Sequence, residues 1–138
     1  MPTRRRRREA EPALVLVVED EPTVLALAVS IIEELGYATL SAANAREALA
    51  LLEHGASPTQ LFTDIQLPNG PGALDGLGLA RRMAELCPGL KVTYTSGGAQ
   101  TDGMTALFVE GAIFLPKPYT REQLIEALKA EPANRGRR

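Results

Sequence analysis

The sequence predicts an α/β fold: a doubly wound, five-stranded parallel sheet with helices flanking both faces. Four short apolar runs have the length of buried strands: Leu14 to Val18, Leu61 to Thr63, Leu90 to Thr95 and Ala112 to Leu115. Stretches with apolar residues at i, i+3 and i+4 separate them, an alternation that builds βαβ units and a parallel sheet. Each run is followed at once by a chemically distinct signal: Glu19-Asp20, Asp64, Ser96-Gly97 and Lys117-Pro118. In open parallel sheets, ligands bind outside the carboxyl ends of the strands.

The elements follow in order. After the first strand, Pro22 suits the first turn of a helix, where its missing N–H is not needed. Val24, Leu25, Ala28, Ile31, Ile32 and Leu35 form one face of that helix, and Gly36 ends it. Tyr37 to Ala42 is the second strand. Asn44 followed by Glu47 has the form of a capping box and opens the second helix, with Ala48, Leu49, Leu51 and Leu52 as its apolar residues and Gly55 as its stop. After the third strand, Pro68 to Leu74 is too rich in turn residues to be a regular element. Asp75 caps the third helix, with Leu77, Ala80, Met83, Ala84 and Cys87 expected inward. The segment Thr101 to Glu110 contains Gly103, which costs about 1 kcal/mol relative to Ala in a helix, so this helix is expected to be short or mobile. Thr120 and Gln123 form a second capping box, and Leu124, Ile125 and Leu128 turn inward from the last helix.

Bulk properties narrow the class. The 138 residues suit one domain. No apolar stretch reaches the roughly 18 residues of a membrane span, and no secretory h-region follows the N-terminal charges. Cys87 is the only cysteine, so no internal disulfide forms, and a buried, inert thiol is expected. A cytoplasmic location follows as an expectation. The net charge of −2 hides an asymmetry: Arg4 to Arg8 lie at one end and Arg135, Arg137 and Arg138 at the other. Residues 13–131 carry 7 Lys+Arg against 15 Asp+Glu, a net of −8. Residues 1–12 and 132–138 are thus expected to be disordered basic tails around a domain at 13–131.

Together the signals assemble three carboxylates, a hydroxyl and an ammonium at the carboxyl end of the sheet. That set suits one divalent cation and one phosphoryl group. In this order and at these separations, the chain resembles the receiver domain of bacterial two-component response regulators. The matching stretches are Leu16 to Glu21, Phe62 to Pro68, Asp75-Gly76-Leu77, Thr95-Ser96-Gly97 and Phe114 to Tyr119. The resemblance covers about Ala13 to Ala130 and implies a flavodoxin-like sheet of the receiver type.

It also implies roles. Asp64 is the phosphoacceptor, a carboxylate that forms an acyl phosphate. Asp20 binds Mg²⁺ directly and Glu19, where an Asp is commoner, through water; Asp64 and the main-chain carbonyl of Gln66 complete the ligands. The Ser96 hydroxyl and the Gly97 N–H bind phosphoryl oxygens. Thr95 is the competing hydroxyl, and the Ser-Gly pattern favours Ser96. Lys117 pairs with Asp64 at rest and with the phosphoryl group after transfer, and its bond to Pro118 is cis. Phe114 occupies the position of an aromatic rotamer switch coupled to Ser96, or is a plain strand aromatic. His54, at a helix end, fits a surface cation better than a phosphodonor.

The function implied is a stand-alone phosphoacceptor in a two-component system or phosphorelay. A histidine kinase or phosphotransfer protein would supply the phosphoryl group, and a downstream protein would receive the output. No DNA-binding domain, no membrane contact, and a monomer or weak homodimer are expected. Catalysis would be confined to the domain's own phosphotransfer and autodephosphorylation. A phosphohydrolase of the haloacid-dehalogenase type fits poorly, because Pro22 stands where a second Asp belongs. A flavodoxin-like cofactor binder lacks its Gly-rich loop after the first strand. A degenerate receiver would not keep the full residue set. Pro68 and Gly76 are eight apart, about four more than the receiver pattern. The insertion Asn69 to Leu74 could be a lid, a partner contact or an idle excursion.

Overall fold

The computed structural model describes residues 13–68 and 72–130. The two basic tails and Asn69 to Pro71 lie outside the described residues. Five strands, β1 (Leu14–Val18), β2 (Ala38–Ala42), β3 (Gln60–Asp64), β4 (Lys91–Ser96) and β5 (Ile113–Pro116), form one sheet in the order β2-β1-β3-β4-β5. Every pairing is parallel. Five helices connect them: α1 (Pro22–Glu34), α2 (Ala45–Glu53), α3 (Gly76–Leu86), α4 (Asp102–Ala106) and α5 (Arg121–Lys129).

The central strand β1 is covered on both faces and reads as a continuous apolar run, and β3 and β4 are buried though they also carry polar residues; all obey a period of two. In β1, Val15 and Val17 face Ala28, Ile31 and Ile32 of α1 and Leu124, Ala127 and Leu128 of α5. Leu16 and Val18 face the opposite layer, with Ala45 and Ala48 of α2 and Leu79, Ala80 and Met83 of α3. Full burial of such an aliphatic side chain contributes about 1.5–3 kcal/mol, so these two layers hold the sheet and fix its register.

The helix ends follow local chemistry, with two departures. Thr120 and Gln123 make the complete reciprocal box at 3.0 and 2.9 Å. Asn44 Oδ1 accepts from the Glu47 N–H at 2.8 Å, but Glu47 reaches past Asn44 to the N–H of Ala43, also at 2.8 Å. In α3 the phase differs from the expectation. Leu79, with Ala80 and Met83, is buried, whereas Leu77, Ala84 and Cys87 are half-buried. The helix starts with Gly76 buried against the end of β3, and Leu79, Ala80 and Met83, three, four and seven positions on, share that face. Cys87 is therefore no core thiol. It forms the C-cap of α3, and partial burial raises its pKa. The helix expected over Thr101 to Glu110 forms only over Asp102–Ala106 and contributes no fully buried residue.

Candidate functional site

The ladders continue one residue beyond the strands, and this places the site. Glu19 N–H donates to Ala42 O at 3.1 Å, Ile65 N–H to Thr95 O at 2.8 Å, and Lys117 N–H to Ser96 O at 2.9 Å. The backbones bearing Glu19, Asp64, Ser96 and Lys117 are thereby clamped side by side at the carboxyl end of the sheet.

At the centre, Lys117 Nζ lies 2.8 Å from Asp64 Oδ2 and 2.9 Å from Glu19 Oε1. Both carboxylates are almost fully buried, 5 % exposed for Asp64 and 4 % for Glu19. Their other oxygens accept main-chain N–H groups. Glu21 N–H donates to Glu19 Oε2 at 3.1 Å, and Gln66 N–H to Asp64 Oδ1 at 3.0 Å. Burial pushes the Glu19 carboxyl above its usual range, against the opposing pull of the Lys117 hydrogen bond. Burial alone would lower the Lys117 ammonium, but its bonds to Asp64 and Glu19 raise it overall.

Asp20 is exposed and completes the acidic group. One carboxylate oxygen from each of Glu19, Asp20 and Asp64 lies within 4.8 Å of the others. Hard carboxylate oxygens in such a cluster, one of them open to water, are the donor set that Mg²⁺ takes. The residues present fit that ion.

Ser96 is buried at the end of β4. Its Oγ donates to Gln66 Oε1 and accepts from Gly98 N–H, both at 3.0 Å. Thr95 points to the opposite layer, where neither its hydroxyl nor that of Thr93 has a hydrogen-bond partner. Gly97 is exposed beside Ser96. The Lys117–Pro118 peptide bond is cis. Phe114 is half-buried on the sheet face, 6.0 Å from the ring of Phe108. His54 is exposed at the end of α2, its Nδ1 2.8 Å from Ala50 O, and stands apart from the site elements.

Three contributors escape the sequence reading. The Lys117–Glu19 bond is one; the extra methylene of Glu over Asp extends the carboxylate toward the ammonium. Tyr94 is another. It is fully buried, stacks on Phe108 at 4.4 Å and accepts from Val109 N–H at 3.1 Å, so Phe114 ends a three-ring stack. Its parity with Ser96 was a usable signal, because residues two apart share a sheet face. The third is Gly76. A Cβ there would overlap the Asp64 carbonyl oxygen and lie 2.8 Å from Ile65 Cα, while its N–H donates to Ile65 O at 2.8 Å. Only glycine lets α3 start so close to Asp64.

Residues 15–129 match the response regulator receiver domain family. The nitrogen assimilation regulatory protein NtrX of Azorhizobium caulinodans is 32 % identical over 112 residues, 80 % of this chain and 24 % of that protein. The probable transcriptional regulatory protein TcrX of Mycobacterium tuberculosis is 27 % identical, over 91 % of this chain and 52 % of its own length. The chain thus spans about a quarter to a half of these relatives. A response regulator receiver protein from Sinorhizobium medicae superposes with a TM-score of 0.76 at 30 % identity, covering 85 % of this chain and 91 % of that one. No helix among the described residues is long and apolar enough to cross a membrane. With this match over most of its length, the chain belongs to the response regulator receiver domains, the signalling modules of two-component systems.

Proposed function

We propose that this domain accepts a phosphoryl group on Asp64 from a phosphohistidine of a histidine kinase or phosphotransfer protein, and passes the signal on through altered contacts with a downstream protein. The observation that carries the reading is Lys117, 2.8 Å from a buried Asp64 that lies within the acidic cluster with Glu19 and Asp20. A carboxylate oxygen of Asp64 attacks phosphorus, the P–N bond of the donor breaks, and the electron pair leaves with the histidine nitrogen. Glu19, Asp20, Asp64 and the Gln66 main-chain carbonyl would hold Mg²⁺, which when bound supplies positive charge for the equatorial phosphoryl oxygens. Lys117 turns from the Asp64 carboxylate to a phosphoryl oxygen, a change that a point charge on a flexible stem makes readily. The Ser96 hydroxyl and Gly97 N–H donate to the other oxygens, and Phe114 follows the movement of Ser96. Hydrolysis of the acyl phosphate by water resets the domain, so its catalysis acts only on itself.

Incubation with acetyl phosphate and Mg²⁺ tests this. The intact mass should rise by one phosphoryl group, the adduct should be base-labile, and chelation should prevent it. A mass shift that persists in Asp64→Ala would refute the assignment.

A further inference from the structure

The Ser96 hydroxyl has one proton, and at rest that proton goes to the Gln66 side chain. Its Oγ donates to Gln66 Oε1 at 3.0 Å while accepting from Gly98 N–H at 3.0 Å. A serine hydroxyl donates only one hydrogen bond. The bond to Gln66 and a bond to a phosphoryl oxygen on Asp64 therefore exclude each other.

We propose that the Gln66 side chain is a resting latch on Ser96, a positioning residue that competes with the phosphoryl group for the switch hydroxyl. The proposal rests on the reading of Asp64 as phosphoacceptor and adds its regulation. Gln66 is suited to this by its place in the chain. Its own N–H donates to Asp64 Oδ1 at 3.0 Å, so one residue touches the acceptor carboxylate through its backbone and the hydroxyl through its side chain. The residue is exposed while Ser96 is 1 % exposed. On release, the Gln66 amide exchanges its partner for water at little cost, whereas the buried Ser96 hydroxyl needs a new acceptor. A phosphoryl oxygen provides one. The latch therefore opens when an anion arrives and closes when it leaves.

The test uses the full chain with Gln66→Met, which keeps the length and removes the acceptor, and Gln66→Glu, which keeps an acceptor oxygen. Without ligand, the amide resonances of Ser96 and Gly98 should move in Gln66→Met and stay near their native positions in Gln66→Glu. Beryllofluoride with Mg²⁺ then stands in for the phosphoryl group. Its binding midpoint should fall about 2- to 10-fold in Gln66→Met, the range a single net hydrogen bond spans. That gain should vanish when Ser96→Ala is also present, because no hydroxyl remains to be released. An unchanged or higher midpoint in Gln66→Met overturns the latch alone. So does a gain that survives in the Ser96→Ala background, since Gln66 would then act on access to the site. Failure of the native protein to bind beryllofluoride overturns the phosphoacceptor reading, and the latch's role with it, even if the two amides respond as stated.

Discussion

Lys117 holds two buried carboxylates at once, and the fold depends on it for that reason. Removing one member of a buried ion pair leaves the others uncompensated, at a cost of about 3–5 kcal/mol when the group is fully enclosed. Lys117 is partly open, with 23 % of its side chain exposed, so Lys117→Met should lose less, on the order of 1–3 kcal/mol at neutral pH. The loss should be pH-dependent. The folded Glu19 pKa lies above its ordinary 4.5, so the folded state binds more protons than the unfolded one just above that pH. Its contribution to stability is complete at lower pH and declines as pH rises through the raised value. Without Lys117 the hydrogen bond that lowers this pKa disappears and the window widens upward. Urea midpoints of the native protein and Lys117→Met should therefore converge between pH 7 and pH 5. A constant gap across that range would mean that charge at Glu19 is not what the lysine relieves.

Among the elements, α3 is tied most directly to the site, through a helix start that only glycine permits. In Gly76→Ala the methyl group meets Asp64 and Ile65 backbone, which cannot yield as a flexible side chain would. Overpacking of this kind costs about 1–3 kcal/mol. The variant should melt lower and, below its melting point, accept phosphate from acetyl phosphate more slowly, because Asp64 is displaced. A native rate in a folded variant would show that α3 can retreat without moving the acceptor. Asp75-Gly76 was visible in the sequence as a motif, but the contact was not, since it joins residues from separate elements. The same division holds elsewhere. Thr120 and Gln123 announce their box because both partners lie within one turn. Glu47 had two N–H groups within reach, and its choice of Ala43 depends on how the chain leaves β2. The Tyr94–Phe108–Phe114 stack depends on the path from α4 to β5, which no periodicity encodes.

At the scale of the whole molecule, the parallel sheet was legible because short, largely apolar strand segments alternate with helical patterns, and the site because its residues follow those segments immediately. What pattern alone left blank is how unevenly the sheet is supported. β1 and β3 are flanked by strands on both sides, whereas β5 pairs only with β4 among the described residues. The neighbouring α4 buries nothing completely, and of β5 only Leu115 is buried. Local opening takes least free energy where few apolar contacts are lost. Amide hydrogen exchange should therefore be faster at Ile113 to Leu115 than at Val15 to Val18, and equal protection would show that the two halves open as one unit. This unevenness divides the site along a fault line. Glu19 and Asp64 follow the well-supported strands β1 and β3, and Lys117 follows the edge strand β5. If β5 opens first, Lys117 should leave Glu19 and Asp64 while the strands that carry those acids stay paired, so the ion pairs of the site should break before the sheet does.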